Sequence, residues 1–244
     1  MKLVKECSVL LAVIMICACS QLAAQEEVDI TTGVDIVSRY FWRGLDIANT
    51  PSLQPTLAVG YAGFEIGSWG AYTLSNEAFA SDEIDFWLSY TQALESGVEL
   101  SVMVIDYYFP NSGVDFFNFN NYDDEDGAGA HTLEIGASVS GPESFPIGVS
   151  GYINVYNDAG NNTYFQLDYN TAVNETELNF FIGGTGGSED NPGYYGTDET
   201  AIINIGVTGS REIQISDEFS LPLFVTFAIN PKAEISYMVA GISL

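Results

Sequence analysis

Basic side chains are scarce in this chain of 244 residues. Six Lys and Arg stand against 33 Asp and Glu, which gives a formal net charge of −27 at pH 7. A nucleic-acid-binding surface needs clustered Lys and Arg to neutralise phosphates, so this balance excludes nucleic acid as a partner. The chain is nevertheless 47% hydrophobic, with 14 Tyr and 15 Phe, which argues against a disordered acidic tail.

Cysteines occur only near the N-terminus, at Cys7, Cys17 and Cys19. Residues 1–25 combine early lysines, an apolar run and small residues before an acidic stretch, which predicts a cleaved secretory signal peptide. We therefore expect residues 26–244 to form one domain without disulfides; lipidation of Cys19 is an alternative. Beyond residue 25 no apolar run reaches the roughly 18–20 residues of a transmembrane helix. If the mature chain enters a bilayer, it does so as a closed β-barrel or peripherally.

Signals of enzymatic chemistry are sparse. The single histidine is His131, and the sequence lacks a glycine-rich phosphate loop, a serine elbow and a His-Glu helix motif. We predict no enzyme, no cofactor and no zinc site. One alternative is a lipid hydrolase with His131 as base and Glu134 or Asp168 as its orienting acid. The acidic run at residues 123–126 offers oxygen ligands for calcium, although a solvated acidic loop is the simpler interpretation.

Apolar and polar residues alternate with a period of two along the mature chain, which indicates strands with two different faces. In one segment Ile84, Phe86 and Leu88 share one parity, while Glu83 and Asp85 share the other. Turn signals then divide the chain into twelve predicted strands, at residues 29–43, 52–61, 64–74, 82–92, 98–109, 130–140, 146–156, 163–173, 176–183, 199–211, 218–229 and 233–244.

The connections between these strands alternate in length. Short turns at residues 62–63, 93–97, 141–145 and 174–175 alternate with connections that include two long ones, at 110–129 and 184–198. This is the layout of an outer-membrane barrel with short periplasmic turns and longer extracellular loops. We predict an all-β fold, a single antiparallel transmembrane β-barrel of about twelve strands. A soluble β-sandwich or lipocalin-like barrel is the alternative.

In a membrane barrel the apolar parity faces lipid and the polar parity faces the lumen. We expect Val149, Ala201 and Ile203 to point outward, and Tyr40 and Trp42 to belong to an interfacial aromatic girdle. The predicted pore-lining residues are Asp35, Arg39, Arg43, Glu65, Asp85, Glu99, Glu134, Asp168 and Glu177. The other two acids of this parity are Glu83 and Glu234.

Such an acidic lining favours cations over anions. Asp35, Arg39 and Arg43 are expected on one strand, about 13 Å apart at roughly 3.3 Å per residue, as a ladder without mutual contact. The two arginines either neutralise inward acids or take part in permeation.

Val34–Gly44 and Pro51–Pro55 resemble the opening of the TorF family of porin-like proteins. Gly67–Gly70 and Glu83–Asp85 resemble the next two strands of that family. The resemblance covers roughly residues 30–110. It implies an outer-membrane barrel with a transport function, and it carries over no substrate or active site.

The expected function is a porin-like channel for small solutes or ions in the bacterial outer membrane, favouring cations. Its expected partners are outer-membrane lipids, small solutes or cations and the barrel-assembly machinery, and its oligomeric state stays open. The alternative to a channel is a closed structural or adhesion barrel with partner-binding extracellular loops. The acidity also fits a saline habitat, where dense carboxylates keep a surface soluble.

Overall fold

The alternating segments fold into strands. A computed structural model describes residues 27–75 and 82–244, so the predicted signal peptide at 1–25 lies outside the described residues. The strands are β1 Asp29–Val37, β2 Tyr40–Trp42, β3 Leu45–Ala48, β4 Ser52–Tyr61, β5 Phe64–Thr73, β6 Glu83–Ala93, β7 Glu99–Tyr108, β8 His131–Ser140, β9 Ile147–Tyr156, β10 Thr163–Val173, β11 Thr176–Thr185, β12 Ala201–Ser216, β13 Phe219–Asn230 and β14 Ile235–Ser243.

Twelve of these strands form a closed antiparallel barrel in which each pairs with its neighbours along the chain, and β2 and β3 form a separate two-stranded sheet. The barrel closes where Asp35–Val37 of β1 pair with Gly241–Ser243 of β14. The predicted all-β, twelve-stranded antiparallel barrel is therefore confirmed. Within residues 27–75 and 82–244, the structure contains no helix that is both long and apolar enough to cross a membrane.

The two ends of the barrel differ in their connections. One end, here called the turn end, carries five short turns, the start of β1 and the C-terminus, and Ala62 and Gly63 form a tight turn there with φ of 55° and 81°. The other end, the loop end, carries six loops. They are L1 (38–51), L2 (74–82, of which 76–81 lie outside the described residues), L3 (109–130), L4 (157–162), L5 (186–200) and L6 (231–234).

The two faces of the wall follow the predicted parity along most strands. Outward side chains are apolar and exposed, such as Leu57 at 56% and Val149 at 53%. On the inward face, glycines lie beside large rings of the neighbouring strand. A Cβ on Gly67 would lie 2.2 Å from the Trp87 ring, and one on Gly136 would lie 2.6 Å from the Tyr152 ring. These glycines leave room for rings inside the lumen.

The predicted first strand, residues 29–43, is wrong at its C-terminal end. β1 stops at Val37, and the chain leaves the wall to form the β2–β3 hairpin before β4 begins at Ser52. Ser38 still donates its backbone N–H to the Ala240 carbonyl, so the departure follows directly on the closure of the barrel.

The predicted outward positions of Ala201 and Ile203 in β12 are both wrong, because both residues pack among buried aromatic rings inside the barrel. The register between β11 and β12 shifts between Gly183 and Gly184, which leaves Ile203 without a partner in the ladder. As a result Ile203 is fully buried, and Ile202 is 44% exposed in its place. A β-bulge of this kind moves the following side chains to the opposite face.

Candidate functional site

The β2–β3 hairpin, Tyr40–Ala48, lies inside the barrel and is called the lumen hairpin below. The Trp42 ring contacts Tyr107 of β7, with ring centroids 6.0 Å apart. At the tip, the Gly44 carbonyl accepts a hydrogen bond of 3.1 Å from the side-chain amide of Asn230 in β13. Because β7 and β13 lie on opposite sides of the closed barrel, an element that contacts both must cross the lumen.

The tip of the lumen hairpin is a two-residue turn made by Arg43 and Gly44, between the paired residues Trp42 and Leu45. Both turn residues have positive φ, 48° and 85°, as a type I′ turn requires. For a non-glycine residue such as Arg43 this left-handed conformation costs about 1–2 kcal/mol of conformational free energy. Glycine is needed at position 44 for a second reason, because a Cβ there would lie 2.0 Å from the Ile203 carbonyl oxygen.

A buried ion pair fixes the tip to the wall. The Arg43 guanidinium donates from Nη1 and Nη2 to the two oxygens of Glu134, at 2.6 and 2.8 Å. The Arg43 side chain is 10% exposed and that of Glu134 is 1% exposed. The Tyr107 hydroxyl donates a further hydrogen bond to Glu134 at 2.9 Å. A bidentate pair of this kind fixes the orientation of both the guanidinium and the carboxylate.

Aromatic rings surround the same guanidinium. Its central carbon lies 4.1 Å from the Tyr152 ring centroid, 4.5 Å from that of Trp42 and 4.8 Å from that of Tyr164. Arg43 also donates to the Tyr195 hydroxyl at 2.8 Å. Burial raises the pKa of Tyr195, against the lowering effect of Arg43, so this L5 hydroxyl is neutral at ordinary pH. Glu134 and the four rings are called the Arg43 cage.

The predicted position of Tyr40 and Trp42 in an interfacial girdle is wrong, because both lie in the lumen. Tyr40 is 3% exposed and donates its hydroxyl to Glu83 at 2.7 Å. Its ring also packs 5.4 Å from that of Trp69 on β5. The predicted inward residue Asp85 lies next to this contact on β6, and its buried Oδ1 has no hydrogen-bond partner among the described residues.

The predicted ladder of Asp35, Arg39 and Arg43 on one strand is also wrong. Asp35 stays in the wall within β1, whereas both arginines belong to L1. Arg39 pairs with Asp46 at 3.0 Å and donates to Asn49 at 2.7 Å, so it joins the two arms of L1 at the base of the lumen hairpin. The two arginines therefore have different neighbours, although they are four residues apart in the sequence.

Three of the predicted pore-lining acids lie near the turn end. Glu65 accepts a hydrogen bond from the indole N–H of Trp87 at 2.8 Å, while Glu99 and Glu177 are exposed at the first positions of β7 and close to the start of β11. The structure does not bring them together with Glu134. Their role in permeation stays a prediction.

A chain of hydrogen-bonded polar groups follows the wall from the Arg43 cage towards the turn end. The Tyr164 hydroxyl donates to Gln166 at 2.6 Å, and the Gln166 amide donates to Asp168 at 3.0 Å. The Asn179 amide then donates to Asp168 at 3.2 Å and to Asn170 at 2.8 Å. This set is called the polar track.

The polar track ends at two adjoining cavities of about 820 and 950 Å³, which share Glu177 and Ser210 as lining residues and together are called the turn-end chamber. The chamber lining is mixed, with polar or charged residues such as Asn170, Asn179, Thr208, Arg211, Glu212 and Gln214 beside apolar ones such as Ile213, Leu223 and Phe224. The lumen is thus filled by the lumen hairpin at the loop end and wide at the turn end.

Loops L4 and L5 are joined by one buried carboxylate, Asp158. It accepts hydrogen bonds from the side-chain amides of Asn154, Asn162 and Asn191, the first and last at 2.8 Å. Burial alone would raise the pKa of Asp158, but these hydrogen bonds outweigh it and hold the pKa below the ordinary value. The link positions L5, which contributes Tyr195 to the Arg43 cage.

His131 lies on the outward parity, and its surroundings do not match the alternative interpretation as a lipid hydrolase. Nδ1 lies 2.9 Å from Asp106 and Nε2 lies 2.6 Å from the Phe116 carbonyl oxygen. Glu134 pairs with Arg43 on the inner face, and Asp168 belongs to the polar track, so neither orients this ring. The orienting acid is Asp106, and both ring nitrogens of His131 are engaged.

L3 folds over the outer rim of the barrel rather than into it. The Phe116 and Phe119 rings contact His131, with centroids 5.0 and 4.6 Å away, while Phe117 is 82% exposed. The acidic run at 123–126 follows, and there Asp123 and Asp124 accept hydrogen bonds from Asn121. Among the described residues no group of three or more His, Cys, Asp or Glu side chains is arranged to hold a metal ion.

Sequence reasoning missed the lumen hairpin, although one signal for it exists. The pair Arg43-Gly44 is flanked by Tyr40–Trp42 and Leu45–Ala48, and two apolar runs around a two-residue turn ending in Gly are a hairpin pattern. The tyrosines of the cage, Tyr152, Tyr164 and Tyr195, were not predicted as site residues. They lie on three different elements, and no local pattern connects them.

Comparisons with known proteins define the family. No curated protein matches the chain. Among solved structures, the COG4313 outer membrane channel from Pseudomonas putida F1 matches with 10% identity and a TM-score of 0.44, over 91% of this chain and 98% of that one. The family model of bacterial proteins of unknown function called Gcw_chp matches residues 21–214, most of the chain. The chain therefore belongs to the Gcw_chp family.

Proposed function

We propose that this protein is a porin-like channel of the outer membrane of a Gram-negative bacterium, of the kind that the TorF resemblance implies. The observation that carries the proposal is the combination of an exposed apolar outer face with a polar inner one on a closed barrel. Leu57, Val149 and Phe165 are each more than half exposed on the outside, which is favourable only against lipid.

We propose a route through the lumen for small charged or polar solutes, which requires the lumen hairpin to leave a passage at the loop end. It leads from the turn-end chamber along the polar track to the Arg43 cage, and the lumen hairpin narrows it at the loop end. Asp168 and Glu177 line the route and form no salt bridge among the described residues. Arg211, which also lines the turn-end chamber, pairs with Glu175. We therefore expect cations to pass more readily than anions.

The test is single-channel recording of the refolded mature protein in a planar bilayer under a salt gradient. We expect discrete current steps and a reversal potential whose sign shows that cations pass more readily than anions. Asp168→Asn and Glu177→Gln are expected to shift that potential towards zero. Asp217→Asn, the same loss of charge in the exposed β12–β13 turn, serves as the matched control and is expected to leave it unchanged.

The second candidate is a closed structural or adhesion barrel, which the filling of the loop end by the lumen hairpin favours. A refolded, heat-modifiable barrel that inserts into bilayers without any current would contradict the channel and support this alternative.

A further inference from the structure

The Arg43 cage has the composition of a binding site for an organic cation. Its carboxylate pairs with a guanidinium through both oxygens, at 2.6 and 2.8 Å, and three ring centroids lie 4.1 to 4.8 Å from the central carbon. Aromatic faces with a carboxylate are the usual means of binding cationic ligands. The planar, bidentate hydrogen bonding to Glu134 suits a guanidinium group better than an ammonium group.

Most of this site belongs to the barrel rather than to the lumen hairpin. Glu134, Tyr152 and Tyr164 lie on β8, β9 and β10, and Tyr195 lies in L5, so the hairpin contributes only the Trp42 ring and the guanidinium itself. If the hairpin moved, the wall residues would still present the same groups. Glu134, only 1% exposed, would then need another cation, because a buried carboxylate is unfavourable without one.

The polar track connects this site to the wide end of the lumen. Tyr164 belongs both to the cage and to the track, where its hydroxyl donates to Gln166 at 2.6 Å. A solute that enters the turn-end chamber therefore meets Asp168 before it reaches Glu134, and both are acids.

We propose that the Arg43 cage binds solutes that carry a guanidinium group, and that Arg43 occupies the cage as a built-in ligand which such a solute displaces, releasing the lumen hairpin. This inference rests on the channel function proposed above, because it names the class of solute that the channel admits. Displacement exchanges one guanidinium for another on Glu134, so no buried charge is left unpaired at the end of the exchange.

Chemical rescue tests the binding site. Arg43→Ala is expected to lower the unfolding temperature of the barrel, and ethylguanidinium is expected to raise it again by about 3–6 °C at roughly ten times its Kd. Ethylurea, a neutral analogue of the same shape, should not rescue. Arg39→Ala is the matched control, since it removes the other arginine of L1 from a site outside the cage, and ethylguanidinium should not rescue it.

A second measurement uses the wild-type protein and does not depend on the folding of a variant. Titration with L-arginine is expected to change the fluorescence of Trp42, which leaves its stacked position 5.8 Å from Tyr195, whereas neutral L-citrulline should have no effect. Trp42→Phe should remove the response. In bilayers, L-arginine on the turn-end side is expected to increase the current severalfold, and L-citrulline is not.

The outcomes separate the two proposals. If the wild-type protein conducts, but ethylguanidinium does not rescue Arg43→Ala and arginine acts like citrulline, the channel stands and the cage is only a structural contact of the hairpin, which overturns this inference. If rescue and the fluorescence response occur in a barrel that never conducts, the binding site stands and the channel proposal fails.

Discussion

Acidic side chains at the two ends of the lumen are in opposite situations. At the loop end Glu134 is 1% exposed and is held by Arg43, and Glu83 is 5% exposed and accepts from Tyr40. At the turn end Glu99 and Glu177 are exposed next to open space. The same residue type is thus part of a packed interior at one end and of a solvated lining at the other.

The difference follows from what enters the lumen at each end. L1 is long enough to fold inward, where its Arg43 pairs with Glu134 and its Tyr40 donates a hydrogen bond to Glu83. The connections at the turn end are short turns that cannot reach inside. The following predictions test this contrast.

The largest effect is expected from removing an acid at each end. Glu134→Ala leaves the Arg43 guanidinium buried without its partner, which is expected to reduce the free energy of unfolding by roughly 3–5 kcal/mol. Glu177→Ala, the turn-end control, should change it by about 0.5 kcal/mol or less. Urea unfolding in detergent micelles measures both, and equal losses would contradict the contrast between the ends.

The outer and inner faces of strand β9 are expected to differ in their tolerance of an added charge. Val149→Arg places a cation on the apolar outer face of β9 and is expected to cost roughly 1–3 kcal/mol in a bilayer, because the position lies near the turn-end start of the strand. Ser150→Arg, one position later on the inner face, should be tolerated because its cross-strand neighbours, Ser138 and Gln166, are polar. The measurement is the folded fraction after refolding into vesicles, and tolerance of Val149→Arg would mean that this face does not meet lipid.

An added methyl group is expected to destabilise the packed part of the lumen more than the open part. In Gly136→Ala the new methyl would lie 2.6 Å from the Tyr152 ring, which must move away from Arg43, at an expected cost of about 1–3 kcal/mol. Gly148→Ala on the neighbouring strand meets its nearest atom, on Asp168, at 3.5 Å and should be nearly neutral. Thermal unfolding of the two variants is the comparison, and a nearly neutral Gly136→Ala would show that the loop end is not tightly packed.

Acid is expected to loosen the L4–L5 link selectively. The pKa of Asp158 is held below its ordinary value of about 3.9. Its stabilising contribution is therefore present above that value and is lost as the pH falls through the lowered pKa of the folded state. Cleavage of L4 and L5 by an acid-active protease should rise in that range. Asp158→Asn should remove the pH dependence, whereas Asp198→Asn, an exposed L5 control, should retain it.

Much of the barrel was predictable because strand pairing is local in this topology. Strands β4 and β10 have the predicted boundaries, 52–61 and 163–173, and the other barrel strands apart from β1 and β12 differ by one or two residues at either end. Each such strand pairs with its neighbours in the sequence, so alternation and turn residues together determine both the strands and their order. Only β1, where the chain turns inward, and β12, which has a bulge and runs to Ser216, depart further.

The sequence by itself determined the strand count, the inner and outer parity of most strands and the alternation of turns with loops, because each depends on residues close together in the chain. Only the tertiary structure decided that L1 folds inward. The partner of Arg43 is Glu134, 91 residues away, and the aromatic rings of the cage come from four separate elements. No local pattern encodes a contact of that range, since it arises only when the barrel closes and brings opposite walls together around one buried charge.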